Sequence, residues 1–340
     1  MRSEILATYT TNSPTLVRRT LAFSRQRPPL VGSNALLCLL MLPMKKVIRV
    51  FPRRTKATPD DPMAVVDRLP DLWDAADKVQ VSVTFTWDME KAERLAKQWE
   101  VVAPVEVGGP AYGDPGAEFV PGWFIKRGYT FTSRGCPGRC PGCLVPVREG
   151  ALRLLPIQDG WDILDNNLLA CPRDHIEAVF AMLARQPERP KFTGGIEAAR
   201  LEPWHVEAFL RLKTDAIWMA YDRPAEWEPL RRAVGMLSEA GIVAAHKSKR
   251  VGAYVLMGWR GDTPEAAEKR LRSVIYGLQI KTQAMWLNNG AESKPEDFKA
   301  WRDLRKHYTD AASVGAMVAE AWDRHNPTLH HPGCSAAEPR

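Results

Sequence analysis

From Tyr129 to Leu287 the chain alternates short apolar runs with amphipathic segments, and this alternation constrains the fold more than any other feature. The runs Pro190–Thr193, Ala216–Ala220, Ala253–Met257 and Gln283–Leu287 have the length and composition of buried strands. Tyr129, Phe131 and Ser133 alternate with Thr130, Thr132 and Arg134 as along a strand, and Trp161–Leu169 supplies another strand with a polar end. Between these runs, His175–Gln186, Glu202–Lys213 and Glu226–Ala240 have helical spacing. A further helix opens at Thr263-Pro264-Glu265, which is an N-cap, a first-turn proline and a first-turn acid, and runs to about Leu278. Strands separated by helices pair in parallel, so the sequence predicts an α/β fold built on a parallel sheet. In such folds, reacting groups gather at the carboxyl ends of the strands.

The first of these ends carries the most distinctive chemistry. Gly128 to Pro146 reads GYTFTSRGCPGRCPGCLVP, with Cys136, Cys140 and Cys143 spaced C-x3-C-x2-C. Pro137, Gly138, Pro141 and Gly142 punctuate the loop and let the backbone wrap closely around an inorganic core. Three thiolates suit a 4Fe–4S cluster and leave its fourth iron open for a small molecule. The alternative is a zinc knuckle or a redox pair. Zinc wants a fourth Cys or His at short spacing, and the next cysteine, Cys171, is far off. With six cysteines in 340 residues there is no disulfide framework, and only Cys171 and Cys334 follow the motif, too few for a second cluster.

C-x3-C-x2-C after a strand resembles the signature of the radical S-adenosylmethionine (radical SAM) enzymes. The resemblance implies that Cys136, Cys140 and Cys143 hold the cluster and that its open iron takes the amino and carboxylate groups of S-adenosylmethionine. It implies further that an electron from the cluster cleaves the sulfonium to methionine and a 5′-deoxyadenosyl radical, which abstracts hydrogen from a substrate. A reductant protein such as a flavodoxin or ferredoxin is then expected as partner. The implied fold is a partial (β/α)6 TIM-like barrel over residues 126–290, followed by C-terminal helices within 294–325 and a tail to residue 340.

Other strand ends extend the resemblance. Thr193-Gly194-Gly195-Ile196-Glu197 resembles the family's glycine-glycine-glutamate motif, whose backbone binds the amino group of S-adenosylmethionine; the alternative is a plain strand-to-helix turn. Asp165-Asn166-Asn167 is similar to an acidic pair of cobalamin-type members, implying that Asp165 and Asn167 hold substrate or ribose hydroxyls, against a solvated Asx turn. Tyr221-Asp222 ends the fourth strand, where members contact ribose or the methionyl carboxylate. Gly258, in Val255–Asp262, matches the backbone that packs on adenine. One departure stands out: members place an aromatic residue before the third cysteine, and here that position is Gly142, leaving Trp123, Trp161 and Trp259 as candidates for adenine. Cys171 is either a hydrogen donor at the site's mouth or a buried, unreactive thiol. His175 and His205 read as ordinary helix-start histidines, and His330-His331 with Cys334 lies in a polar tail.

Residues 44–125 form a shorter, Rossmann-like α/β half-domain: strand Val47–Phe51, a weak helix Met63–Trp73, strand Val79–Thr86, helix Asp88–Glu100 and strand Val101–Pro110. A strand ending in Gly108-Gly109-Pro110 resembles the later part of the cobalamin-binding domains fused ahead of many radical SAM barrels. The segment is short and lacks the D-x-H-x-x-G histidine, so the expectation is a remnant that needs no cobalamin. A cobalamin-dependent radical methyltransferase is the second reading, and a non-catalytic iron–sulfur electron carrier the third. The net charge of +7 does not argue for nucleic acid, because Arg2, Arg18, Arg19, Arg25 and Arg27 against Glu4 place +4 of it in residues 1–43. That leader's apolar run, Ala35–Leu42, is stopped by Pro43 and is too short for a membrane span. The leader reads as a targeting peptide or as an over-long start ahead of Met44, and the second reading, with a reduced cluster, predicts a cytoplasmic protein.

Overall fold

The computed structural model describes residues 46–113, 119–140, 143–243, 250–259, 261–287 and 298–325. The leader with Met44, Gly142, and the tail with His330, His331 and Cys334 lie outside the described residues.

The N-terminal half-domain is a parallel sheet of β1 (Val47–Phe51), β2 (Ala64–Val66), β3 (Lys78–Ser82) and β4 (Val105–Gly108), in the order β2-β1-β3-β4. Helix α1 (Met89–Trp99) returns the chain from β3 to β4. It buries Ala92, Leu95, Ala96 and Trp99, the i, i+3, i+4, i+7 stripe of one face, in a core with Val79 and Val81. The helix expected over Met63–Trp73 does not form. The β-branched Val65 and Val66 pair along β1 instead, and Pro70 ends any helical register. Leu72 and Trp73, whose spacing suggested an apolar face, are 99% and 90% exposed. Arg68 gathers Asp71 and Asp74 into a turn there. The third expected strand is shorter than its apolar run, and Gly109 follows it at φ +111. A Cβ on Gly109 would stand 2.8 Å from the Val83 carbonyl oxygen, so only glycine lets the chain cross the end of β3.

The larger sheet begins with β5 (Tyr129–Thr130). The strand expected through Arg134 breaks at Phe131, and β6 (Ser133–Arg134) pairs antiparallel with β7 (Arg153–Leu154) across the single-turn α2 (Val145–Arg148). Then follow β8 (Asp162–Ile163), α3 (Arg173–Leu183), β9 (Lys191–Phe192), α4 (Pro203–Arg211), β10 (Ala216–Ala220), α5 (Trp227–Glu239), β11 (Val251–Met257), α6 (Pro264–Arg272) with a π-helical turn at Ser273–Gly277, and β12 (Lys281–Trp286). Helices α7 (Phe298–Thr309) and α8 (Ala311–His325) close the described chain. Thr263 caps α6 as its sequence predicts, its hydroxyl accepting the Ala266 N–H at 3.2 Å. The six strands order as β12-β11-β10-β9-β8-β5, and every pair is parallel.

Spatial order therefore follows chain order, so each right-handed crossover steps the same way and sets its helix on the same face. That face holds the main core: Ile217, Met219, Val251, Val255 and Met257 of the central strands pack with residues such as Phe209, Leu230 and Leu271. Each such side chain contributes roughly 1.5–3 kcal/mol by burial. On the alternating positions Trp218 stacks on Tyr254, ring centroids 4.6 Å apart, in the room left by Gly252. Strand length is uneven: β5, β8 and β9 are two residues each, against five, seven and six for β10, β11 and β12. Trp161–Leu169 accordingly yields only the short β8, because the polar run after Ile163 turns away to serve the neighbouring loop. Among the described residues, no helix is long and apolar enough to cross a membrane.

Candidate cluster and cofactor site

The cysteine loop leaves β6 through Gly135, at φ +80, where any Cβ would run into the backbone of Ala151. The next turn is built around sulfur. The Gly138 N–H donates to Cys136 Sγ at 3.3 Å, and a Cβ at Gly138 would stand 3.3 Å from Cys136 Sγ and 3.8 Å from Cys140 Sγ. Glycine here keeps the space between the two sulfurs clear. Cys143 N–H closes the turn on the Cys140 carbonyl at 3.1 Å. Cys140 is exposed, and Cys136 and Cys143 are half-buried. Burial pushes the Cys140 thiol up, and the nearby charges of Glu226, Cys143 and Cys136 push it the same way against Arg223. A metal bound there would relieve that crowding, since a metal holds its cysteines deprotonated. Among the described residues, no three His, Cys, Asp or Glu side chains converge as ligands of one ion would. Three free cysteine thiols on one short loop are the donor set that a cubane cluster takes.

The turn after β8 positions that loop. Asp165 is 1% exposed and accepts the Thr132 N–H at 2.6 Å, the Thr132 hydroxyl at 2.6 Å and the Ser133 hydroxyl at 2.7 Å. Asn166 Oδ1 accepts the Gly135 N–H at 2.9 Å. Asn167 Nδ2 lies 3.5 Å from Cys136 Sγ. Three consecutive side chains thus hold the approach to the first cysteine. Burial raises the Asp165 carboxyl, while its hydrogen bonds to Thr132 and Ser133 favour the ionised form. His175 Nε2 meets Thr132 Oγ1 at 3.3 Å, so this helix-start histidine belongs to the same buried network. Cys171 is buried beside Ser133, and burial pushes its thiol up, the setting of an unreactive cysteine.

At the end of β9 the two glycines have different reasons. A Cβ on Gly194 would lie 2.5 Å from the Leu164 carbonyl carbon and 2.6 Å from the Asp165 oxygen, so this residue lets two strand ends cross. Gly195 sits at φ +96 with its nearest neighbour, the Trp218 oxygen, at 3.9 Å; backbone conformation demands glycine there. Thr193 turns its hydroxyl to Asp162 and its carbonyl to the Tyr254 hydroxyl. Glu197 Oε2 accepts Asn167 Nδ2 at 2.8 Å and Arg200 Nε at 2.6 Å. Asn167 therefore links a cysteine of the motif to the glutamate of the glycine-glycine-glutamate turn.

Beyond β10, Asp222 Oδ1 accepts the Leu256 N–H at 2.7 Å, and burial holds its carboxyl up at about 6. Arg223 pairs with Glu226 at 2.8 Å, and the charges of both reach Cys140. Beyond β11, Gly258 adopts φ +81, and a Cβ there would stand 2.8 Å from the Trp286 ring. Its N–H donates to Asp262 at 3.0 Å, and Asp262 holds Arg270 through two oxygens. Trp259 lies against this pair, with the Arg270 guanidinium 5.7 Å from its ring. Trp123, bonded to Gln80, and Trp161, resting on Gly128, are placed elsewhere by their packing. Sequence reasoning missed the Arg223–Glu226 and Asp262–Arg270 pairs; a charged residue beside each strand end was the available signal.

No family model matches the sequence, and neither does any curated protein. Two solved structures of the radical S-adenosylmethionine methyltransferase TsrM from Kitasatospora setae are similar to the chain. The structure with cobalamin and a [4Fe-4S] cluster bound matches 72% of this chain and 75% of its own, with TM-score 0.52 and 13% identity. The structure with tryptophan substrate and the S-adenosylmethionine analogue aza-SAM matches 71% and 73%, with TM-score 0.50 and 12% identity. The chain shares the fold of that methyltransferase.

Proposed function

We propose that the chain is a radical SAM enzyme in which Cys136, Cys140 and Cys143 hold a 4Fe–4S cluster at the carboxyl edge of a partial (β/α)6 barrel. The observation that carries this is the hydrogen-bonded chain Cys136–Asn167–Glu197, which joins the cysteine loop to the glycine-glycine-glutamate turn across three strand ends. An electron carrier has no need of that junction. Bound there, the cluster would supply the electron that cleaves S-adenosylmethionine, releasing methionine and a 5′-deoxyadenosyl radical for hydrogen abstraction. In this reading Gly194, Gly195 and Glu197 receive the amino-acid end, and Asp222 and Gly258 line the nucleoside end. Asp165 acts from beneath by holding the loop, and a flavodoxin or ferredoxin supplies the electron.

The test is anaerobic reconstitution. The expected result is about four irons and four sulfides, an electron paramagnetic resonance signal that S-adenosylmethionine alters, and release of 5′-deoxyadenosine under reduction. Cys→Ala at 136, 140 or 143 should abolish release, and Cys171→Ala should leave it largely intact. Bound zinc, or a signal indifferent to S-adenosylmethionine, overturns the assignment.

A cobalamin-dependent radical methyltransferase is a second reading, which the fold likeness favours. One similar structure holds cobalamin, and this chain carries a four-stranded parallel sheet ahead of the larger one. The order β2-β1-β3-β4 places a switch point between β1 and β3, where open α/β sheets bind ligands. Near that edge stack Phe85 and the exposed Trp87, centroids 4.7 Å apart, an apolar platform for a macrocycle. The missing D-x-H-x-x-G histidine bears on whether the protein would ligate cobalt, since a corrinoid can also be held without a protein histidine. Protein grown with ample cobalamin and isolated with a stoichiometric corrinoid would select this reading over hydrogen abstraction without cobalamin.

A further inference from the structure

Asn167 is 5% exposed, and its Oδ1 has no hydrogen-bond partner among the described residues. Buried carbonyl oxygens are rarely left so, because desolvation without a partner is costly. Turning the amide over does not relieve it. Nδ2 faces the Glu197 carboxylate at 2.8 Å and Cys136 Sγ at 3.5 Å. A carboxylate and a thiolate are acceptors only, so the side carrying the two N–H groups must face them. The orphan oxygen is therefore fixed in place beside Glu197. An acceptor whose amide partner already rests on a carboxylate calls for a donor with positive character and more than one hydrogen, and an amino group polarised by a metal meets both demands.

We propose that Asn167 is a positioning residue that ties ligand occupancy to the cluster: its N–H groups hold Cys136 Sγ and Glu197, and its Oδ1 accepts a hydrogen bond from the α-amino group of S-adenosylmethionine. This rests on the reading of the site as a radical SAM site. Two consequences follow. An N–H bond to a ligating sulfur stabilises the reduced cluster, so Asn167 raises the reduction potential. A donor on Oδ1 also polarises the amide and strengthens its N–H bonds, so the ligand is felt at Cys136 through one side chain.

Two variants separate the roles. Asn167→Asp keeps shape and acceptor but leaves at most one proton for two acceptors, whereas Asn167→Leu removes both functions. Reconstituted proteins are matched for iron content. Their cluster potentials are measured by paramagnetic-resonance-monitored titration, and binding is measured by equilibrium dialysis. The probes are S-adenosylmethionine and an analogue with hydrogen in place of the α-amino group. Both variants should have a more negative ligand-free potential than the wild type. The wild-type preference for S-adenosylmethionine over the analogue should shrink about tenfold in Asn167→Leu, the loss of one charge-assisted bond, and persist in Asn167→Asp. Unchanged potentials in both variants, or an unchanged preference in Asn167→Leu, overturn the proposal while leaving the site reading intact. If Asn167→Leu holds no cluster, the potential of the near-isosteric Asn167→Asp decides. A wild-type signal indifferent to S-adenosylmethionine overturns both the site reading and this proposal.

Discussion

The turn after β11 offers a quantitative test, because its geometry rests on one buried ion pair. Asp262 and Arg270 have side chains 1% and 7% exposed. Asp262 accepts Arg270 at 2.9 Å and 2.8 Å and the Gly258 N–H at 3.0 Å. Asp262→Ala removes all three bonds and leaves a buried guanidinium with the Leu256 carbonyl at 3.1 Å. Breaking a buried pair from one side costs roughly 3–5 kcal/mol, since the remaining charge stays desolvated. That is a large share of a typical total of about 5–15 kcal/mol. Anaerobic urea unfolding of reconstituted protein, followed by far-ultraviolet circular dichroism, should show the midpoint fall accordingly. Asp262→Ala combined with Arg270→Met removes both charges and should recover much of the loss. A single-variant cost below about 1 kcal/mol, or a double variant as unstable as the two singles summed, refutes the reasoning. The same change frees the Gly258 N–H, so under the proposed function S-adenosylmethionine binding should weaken even in molecules that remain folded.

Further outcomes follow from the same geometry. Gly194→Ala meets the backbone of Leu164 and Asp165 and should destabilise far more than Gly195→Ala, which carries only the cost of a left-handed alanine, about 1 kcal/mol; equal midpoints would show that the two glycines are not divided in this way. The Asp222 carboxyl titrates at about 6 in the folded protein against an ordinary 3.8. The folded state therefore binds the proton more tightly than the unfolded chain. The stability this contributes is full below about pH 4 and is lost as pH rises through 6, up to about 3 kcal/mol. Measured against Asp222→Asn, the wild type should lose ground between about pH 4 and 6 and level off above about 7; a flat or opposite trend contradicts the burial of that carboxyl.

Much of the larger sheet was legible because its strands and helices obey local rules. Ala216–Ala220 is a strand in sequence and in structure, and Thr263 caps its helix as its neighbours predict. What misled was apolar residues without a partner. Leu72 and Trp73 mimic a helical face but lie exposed. Tyr129–Arg134 alternates along its whole length, yet after Thr130 the chain leaves β8, pairs with β7 at Ser133–Arg134, and gives N–H bonds from Thr132 and Gly135 to side chains of the Asp165 turn. The site residues were legible as types at strand ends and illegible as partners. The sequence places Asp165 and Asn167 near a ligand. The fold turns Asp165 inward as a brace and makes Asn167 a bridge between residues about thirty positions away on either side.

That bracing explains why the shortest strands lie at the cysteine-loop end. Two-residue strands satisfy few backbone groups, so the short β6–β7 ladder alone does not hold the chain between Thr132 and Cys136. Asp165, Asn166 and Asn167 replace the missing rungs, bonding Thr132, Gly135 and Cys136 in the same order. Gly194 then packs on the backbone of Leu164 and Asp165, which fixes the third strand end to the second. Side-chain rungs, unlike backbone ones, end in groups that differ in charge and in spare valence. The arrangement thus gives the loop its position and also its chemistry: an anion below it at Asp165, a donor to sulfur at Asn167, and an unspent acceptor beside Glu197. Because the three strand ends are joined through these few contacts, a ligand that grips one of them is mechanically coupled to the others.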